Sequence, residues 1–148
     1  MLVLFQETNG VPDLRKQRKV YPIDPFLAHL PARHSPDAFD PDFSRLAEAA
    51  IAMAIFRSAE GDAIDRFGQP SRLFFFRSPN GSEVDFVVIP GRRAAESKYT
   101  DSTSLAEARA LVANFGKGLL LTRGGVDLSP GVTFIPAALF AWLLDQAG

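Results

Sequence analysis

Three charged residues in the second half of the chain have types and spacing that suit metal-assisted hydrolysis. Asp85 lies in an apolar run, Glu96 follows it eleven positions later, and Lys98 is two positions beyond Glu96. Two carboxylates a few Å apart supply the hard oxygen ligands that Mg²⁺ or Mn²⁺ requires. A lysine beside them can orient or activate a water and stabilise charge on a phosphate. These residues are therefore candidates for chemistry on a phosphate ester.

The segments around these residues are typical of three strands joined by short turns. An aromatic strand is predicted over Leu73–Arg77, a second over Glu83–Ile89 and a third over Arg92–Lys98. Asn80-Gly81 is the hairpin signature between the first two, and Pro90-Gly91 turns the chain into the third. The pattern predicts an antiparallel meander.

Alternation of side chains along a strand assigns the candidate residues to faces. Glu96 and Lys98 are two positions apart and project to the same side. On the second strand, strict alternation assigns two groups of residues to opposite faces. One group is Glu83, Asp85, Val87 and Ile89, and the other is Val84, Phe86 and Val88. We therefore expect Asp85, Glu96 and Lys98 to converge on one face, with the two carboxylates close enough to share a cation.

A preceding helix could add a further acidic residue. Asp40-Pro41 pairs a capping residue with a proline at the first helical position, which predicts a helix from about Pro41 to Ser58. Glu48 is the only charged residue between Leu46 and Phe56. Its carboxylate falls at the margin of an apolar face, so we expect it to have a partner, either a basic side chain or the same cation.

The remaining segments complete an α/β pattern. Ser104–Glu107 is a capping box that predicts a helix ending at Gly116. Gly118–Thr122 is typical of a buried parallel strand, Val132–Ile135 of a last strand, and Pro136–Gln146 of a last helix. We predict a single domain over residues 1–148, with a central mixed sheet of four or five strands and helices on both faces.

The first thirty residues are harder to interpret. Leu2–Phe5 is a short apolar run, and four basic residues follow in five positions. They are Arg15, Lys16, Arg18 and Lys19. A solvated loop is favoured over a phosphate-binding patch, because the total formal charge is only −1. A short strand, a turn and a short helix are predicted in this region, with Val20–Pro25 leading into Phe26, Leu27 and Leu30.

Composition excludes several classes of function. Without cysteine there is no disulfide framework, thiolate zinc site or cysteine nucleophile. His29 and His34 have no ligand-like spacing, which makes a histidine metal site an unfavoured interpretation. No signal peptide or spanning segment is apparent, so we expect no membrane association and a cytoplasmic location.

The pattern of Asp85 followed by Glu96-Ser97-Lys98 resembles the PD-(D/E)XK nuclease superfamily. A helix with a lone Glu precedes this pattern, and a helix and a strand follow it, as the resemblance requires. More narrowly, the chain resembles the C-terminal domain of unknown function that follows an AAA+ ATPase domain in bacterial and archaeal ATPases. Four runs carry this resemblance, namely Arg18–Asp24, Glu83–Phe86, Glu96–Thr100 and Phe134–Ala137.

This resemblance implies a restriction-endonuclease-like fold and a set of roles. Asp85 and Glu96 would bind the metal, Mg²⁺ or Mn²⁺, Lys98 would position the water, and Glu48 would be the helix carboxylate. The family usually has aliphatic residues where this chain has Ala95 and Ser97.

Two functions are consistent with the sequence. The first is a nuclease-like domain of an AAA+ ATPase, with Mg-dependent phosphodiester hydrolysis of nucleic acid. The second is a catalytically silent interaction or regulatory module that serves an ATPase domain in cis or in trans. No G-x-x-x-x-G-K-[ST] motif occurs, so this chain cannot hydrolyse ATP by a P-loop. We expect it to be either the C-terminal part of a longer ATPase or a standalone remnant.

Overall fold

A computed structural model describes residues 1–27, 42–61, 72–101 and 104–147. Within these ranges the chain forms eight strands and three helices. In chain order they are β1 (Leu2–Thr8), β2 (Val11–Tyr21), α1 (Phe43–Glu60), β3 (Leu73–Arg77), β4 (Glu83–Val88), β5 (Arg93–Ser97), α2 (Arg109–Phe115), β6 (Gly118–Thr122), β7 (Asp127–Ser129), β8 (Val132–Pro136) and α3 (Ala137–Ala147).

All the described strands join one mixed sheet in the order β2-β1-β3-β4-β5-β6-β8-β7. The predicted α/β class is confirmed, as are the antiparallel meander β3-β4-β5 and the parallel pairing of β6 with β5. The predicted number of four or five strands is wrong. The β1-β2 hairpin extends one edge and β7 extends the other. β1 contains the apolar run Leu2–Phe5, whereas β2 and β7 lack the apolar pattern of the central strands.

The sheet separates two hydrophobic clusters. Buried residues of α1 pack on one face with Leu2, Phe86 and Ala95, and α3 packs against the same cluster. Leu111 of α2 packs on the other face with Leu120. Neighbouring residues of β5 and β6 alternate between the two clusters, as a pleated strand requires. We call the two sides of the sheet the α1 face and the α2 face.

The predicted loop around the basic residues is part of an extended strand. β2 pairs antiparallel with β1 from Val11 to Tyr21, with a register shift that leaves the residues numbered 14–17 without a partner on β1. Most side chains of β2 are exposed, because it is the edge of the sheet. Charged edge strands discourage pairing with other chains, and their polar sequence hides them from a search for apolar alternation.

A bulge in β4 changes the predicted faces. Phe74 lies opposite Val87 and Phe76 lies opposite Val84, so β4 advances three residues where β3 advances two. The extra residue reverses the alternation. Phe86 consequently packs on the α1 face and Val84 on the α2 face, and the prediction that they share a face is wrong.

Several element boundaries differ from the predicted ones. Asp42 caps α1 by accepting hydrogen bonds from the backbone N–H groups of Ser44 and Arg45, whereas Asp40-Pro41 lies outside the described residues. The helix α2 begins at Arg109 rather than at Ser104, because residues 105–108 form turns. Lys98 lies just beyond the end of β5.

The last helix begins one residue later than predicted, because Pro136 ends β8 instead of opening the helix. None of the helices in the described ranges is long and apolar enough to cross a bilayer.

Candidate active site at one end of the sheet

Lys19 of β2 lies among three carboxylates at one end of the sheet. Its Nζ is 2.6 Å from Oδ1 of Asp85, 2.6 Å from Oε1 of Glu83 and 2.9 Å from Oε1 of Glu48. Burial alone would lower the pKa of Lys19, but the charge of Asp85 and hydrogen bonds to Asp85 and Glu83 raise it above its usual range. Lys19 is therefore a fixed positive charge at neutral pH.

Glu48 has the partner that its apolar surroundings require. The Tyr21 hydroxyl donates a hydrogen bond to Oε1 of Glu48 over 2.6 Å, and Lys19 binds the same oxygen. Burial, together with the nearby charge of Glu48, raises the pKa of Tyr21 far above its usual range, so the phenol remains a donor. The expectation that Glu48 is paired is confirmed.

Asp85 connects this cluster to the end of β5. Its Oδ1 accepts from Lys19 and its Oδ2 accepts from the backbone N–H of Ser97 over 2.8 Å. The side chain is 13% exposed. Both carboxylate oxygens are thus already hydrogen-bonded, one to a backbone group and one to a side-chain ammonium.

Glu96 is the most deeply buried acid of the site, with 4% of its surface exposed. It lies opposite Leu120 in the parallel pair of β5 with β6, which places it on the α2 face. Its Oε1 is 3.1 Å from Nζ of Lys98. Its Oε2 is buried and has no hydrogen-bond partner among the described residues. Burial raises the pKa of Glu96 because it penalises the charged form.

Lys98 is more accessible, with 40% of its side chain exposed. Burial acts to lower its pKa, but the hydrogen bond to Glu96 and the charge of Glu96 outweigh that effect and raise it. Lys98 is therefore protonated at neutral pH, so it can donate hydrogen bonds but cannot accept a proton. The expectation that Glu96 and Lys98 project together is confirmed.

The expectation that Asp85 and Glu96 lie on one face of the sheet is wrong, as the strand register shows. Glu96 belongs to the α2 face. Asp85 lies beside the bulge and contacts Lys19, which in turn contacts Glu48 on α1. The two groups remain electrostatically coupled, since the charge of Asp85 contributes to the raised pKa of Glu96. They approach the end of β5 from its two sides.

The donor set suits a hard cation, although no three acidic or histidine side chains in the described ranges are arranged as a ready metal site. The unpaired Oε2 of Glu96 is an acceptor that a cation would satisfy. Around Lys19, three carboxylate oxygens already surround one positive charge at 2.6–2.9 Å. Mg²⁺ requires oxygens at about 2.1 Å, so the same carboxylates would have to close in slightly. His29 and His34 lie outside the described residues.

Sequence reasoning missed three residues of this cluster, namely Lys19, Tyr21 and Glu83. One signal could have indicated them. An excess of acidic residues near an apolar core requires a positive charge, and Lys19 and Tyr21 share a face if their segment is a strand. The bulge that turns Asp85 toward them leaves no mark in the sequence.

Comparison of the chain with family models, with curated proteins and with solved structures finds no match in any of the three.

Proposed function

We propose that this chain is a PD-(D/E)XK nuclease-like domain that hydrolyses phosphodiester bonds with Mg²⁺ or Mn²⁺ held by Asp85 and Glu96, which would reach the cation from the two sides of the end of β5. The observation that carries the proposal is the buried Oε2 of Glu96, which has no partner in the described part of the chain. A buried carboxylate oxygen without a donor costs free energy, and a purely structural carboxylate would have been satisfied by its neighbours. A cation at this oxygen removes the cost.

The order of elements supports the proposal. In the segment α1, β3, β4, β5, α2 and β6, one helix precedes the meander, and a helix and a parallel strand follow it. The resemblance to these nucleases implies this order. A restriction-endonuclease-like arrangement would then form the middle of the larger sheet. The added strands lie at the two edges, where they do not interrupt the segment.

The protein's own residues would divide the work as follows. Lys98, protonated and partly exposed, would donate hydrogen bonds to the attacking water or to a phosphate oxygen and stabilise the charge that develops there. Asp85 and Glu96 would hold the cation, which when bound supplies a positive charge that polarises the phosphate. Glu48 would act indirectly, because it holds Lys19 and Tyr21.

A second function is favoured by a different observation. Lys19 forms ion pairs with three carboxylates at once, as in a structural network of hydrogen-bonded charges. On this alternative the domain is a catalytically silent interaction or regulatory module. On either alternative we propose a cytoplasmic domain that works beside an ATPase, in the same chain or in a separate one.

A cleavage assay separates the two functions. The wild-type chain is incubated with labelled single- and double-stranded DNA and RNA in millimolar Mg²⁺ or Mn²⁺. If the site is catalytic, Lys98→Met lowers the cleavage rate by about 100-fold or more, since a charge placed at the developing anion is lost. Lys117→Met is the matched control, because Lys117 is exposed and precedes β6 at the other end of the sheet.

The outcomes are distinct. Cleavage that Lys98→Met abolishes and Lys117→Met preserves supports the nuclease. Cleavage that survives in Lys98→Met is due to a contaminant or to another site and contradicts the proposed roles. Intact substrate under every condition favours the silent module.

A further inference from the structure

Lys19 is enclosed by three carboxylates. Its ammonium contacts one oxygen each of Glu48, Glu83 and Asp85, and only 18% of its side chain is exposed. Such a geometry sets a single positive charge against three negative ones. The three acids therefore have no other counterion within this cluster of described residues.

The β1-β2 hairpin delivers this ammonium to the site. Lys19 lies opposite Leu4 in the antiparallel pair, and Leu4 is buried in the cluster on the α1 face. Tyr21, two positions later, lies opposite Leu2 on the same side. The backbone of β2 therefore aims Lys19 and Tyr21 together at the carboxylates of α1 and β4.

Each oxygen of Asp85 accepts one hydrogen bond while Lys19 is in place. Its Oδ2 is held by the backbone N–H of Ser97, which the sheet fixes, and its Oδ1 is held by the Lys19 ammonium. Of these two donors, only the lysine sits at the end of a flexible side chain with rotatable bonds. A cation that binds Asp85 through Oδ1 would lie within a few Å of the Lys19 ammonium, so repulsion between the two positive charges opposes its binding while Lys19 stays in place.

We propose that Lys19 is an internal competitor for the cation at Asp85, so that its ammonium, held in place by the β1-β2 hairpin, lowers the affinity of the site for metal until it withdraws. This inference rests on the proposed function, in which Asp85 is a metal ligand. It adds a regulatory element to that site. Whatever moves β2, including a partner that binds its exposed edge, would change the affinity of the site for metal.

The test is calorimetric titration of the intact chain with Mn²⁺ alone. Lys19→Met keeps the length of the side chain and removes its charge, so it should bind Mn²⁺ at least about tenfold more tightly than the wild type. The added substitution Asp85→Asn should abolish the gain. Lys16→Met is the matched control, because Lys16 is on the same strand, is 44% exposed and pairs with Asp13 instead of the cluster. Its affinity should equal that of the wild type.

A second pair of variants covers the case in which Lys19→Met does not fold, since it leaves three carboxylates without a counterion. Glu83→Gln removes one of the negative charges, and the double variant Lys19→Met with Glu83→Gln should bind Mn²⁺ at least about tenfold more tightly than Glu83→Gln alone.

The inference and the proposed function can fail separately. If the wild type binds Mn²⁺ and removal of the Lys19 charge gives no tighter binding, the competitor role is wrong and the metal site stands. If Lys19→Met binds Mn²⁺ through Asp85 while the wild type neither binds metal nor cleaves substrate, the competitor role stands and the native domain is silent. If neither binds, both are wrong.

Discussion

Two acidic regions of this protein, each with a buried carboxylate, are built in opposite ways. At the far end of β1, Glu7 is 1% exposed, and its two oxygens accept hydrogen bonds from Nε and Nη2 of Arg92 over 3.0 and 3.1 Å. The backbone N–H of Gly10 donates to the same carboxylate. The guanidinium also lies near the rings of Phe76 and Phe115. One acid is matched to one base, and every oxygen is used.

At the candidate site the charges do not match. Two ammonium groups face four carboxylates among the residues that the structure describes. The bases are Lys19 and Lys98, and the acids are Glu48, Glu83, Asp85 and Glu96. One buried carboxylate oxygen, Oε2 of Glu96, lacks a donor there.

The contrast is between a buried charge that the fold satisfies and one that it leaves unsatisfied. The fold can satisfy a buried carboxylate completely, as it does for Glu7. The excess of negative charge at the other end of the sheet costs free energy of folding that local structure does not require. Such unfavourable charges are typical of sites that bind a ligand.

The largest effect is expected from breaking the matched pair. Arg92→Met leaves the buried Glu7 without its base and should lower the free energy of unfolding by about 3 kcal/mol, measured by urea denaturation. Arg93→Met removes the neighbouring, exposed charge and is the control. A loss for Arg92→Met no larger than that of the control would show that Glu7 is not held as described.

A smaller loss is expected at the mismatched site. Tyr21→Phe removes the hydroxyl that donates to Glu48 and should lower the free energy of unfolding by about 1.5 kcal/mol, since a hydrogen bond to a charged group is lost. Tyr99→Phe is the matched control, because Tyr99 is 39% exposed. Equal stabilities of the two variants would indicate that Glu48 does not need Tyr21.

The third change should stabilise the protein. Glu96→Gln removes a buried negative charge, and at neutral pH, without divalent metal, it should raise the free energy of unfolding by about 1 kcal/mol. Glu107→Gln is the exposed control. Lower stability of Glu96→Gln at neutral pH would mean that the Lys98 ion pair outweighs the burial of the acid.

The difference in the free energy of unfolding between Glu96→Gln and the wild type should depend on pH, because the pKa of Glu96 is raised. A folded-state pKa above the ordinary value of 4.5 means that the folded protein holds the proton more tightly than the unfolded chain. This contribution to stability is fully present below about pH 4.5 and is lost as the pH rises through the folded-state pKa. The advantage of Glu96→Gln over the wild type should therefore grow with pH, as measured by urea denaturation from acid to neutral pH.

The central strands and two helices were predictable from sequence because apolar periodicity and turn residues mark them. The Asn80-Gly81 hairpin and the parallel strand β6 are examples, and Gly81 has the positive φ that such a turn requires. The edge strand β2 was not predicted, since a solvent-exposed strand needs no apolar pattern.

The site was only partly predictable for a different physical reason. The paired projection of Glu96 and Lys98 follows from alternation within one strand, which sequence encodes directly. The contact of Lys19 with Asp85 joins positions 66 residues apart, and it depends on strand order and on a bulge. Neither is determined by local sequence.

The most direct test of the account is the melting temperature of the wild type and of Glu96→Gln with and without Mn²⁺. If the excess negative charge is a cation site, the wild type should melt roughly 5 to 10 °C higher at a metal concentration about 100 times the dissociation constant. Glu96→Gln should lose that shift, and Glu107→Gln should keep it. An unchanged melting temperature of the wild type in millimolar Mn²⁺, or an equal shift in Glu96→Gln, would contradict the account.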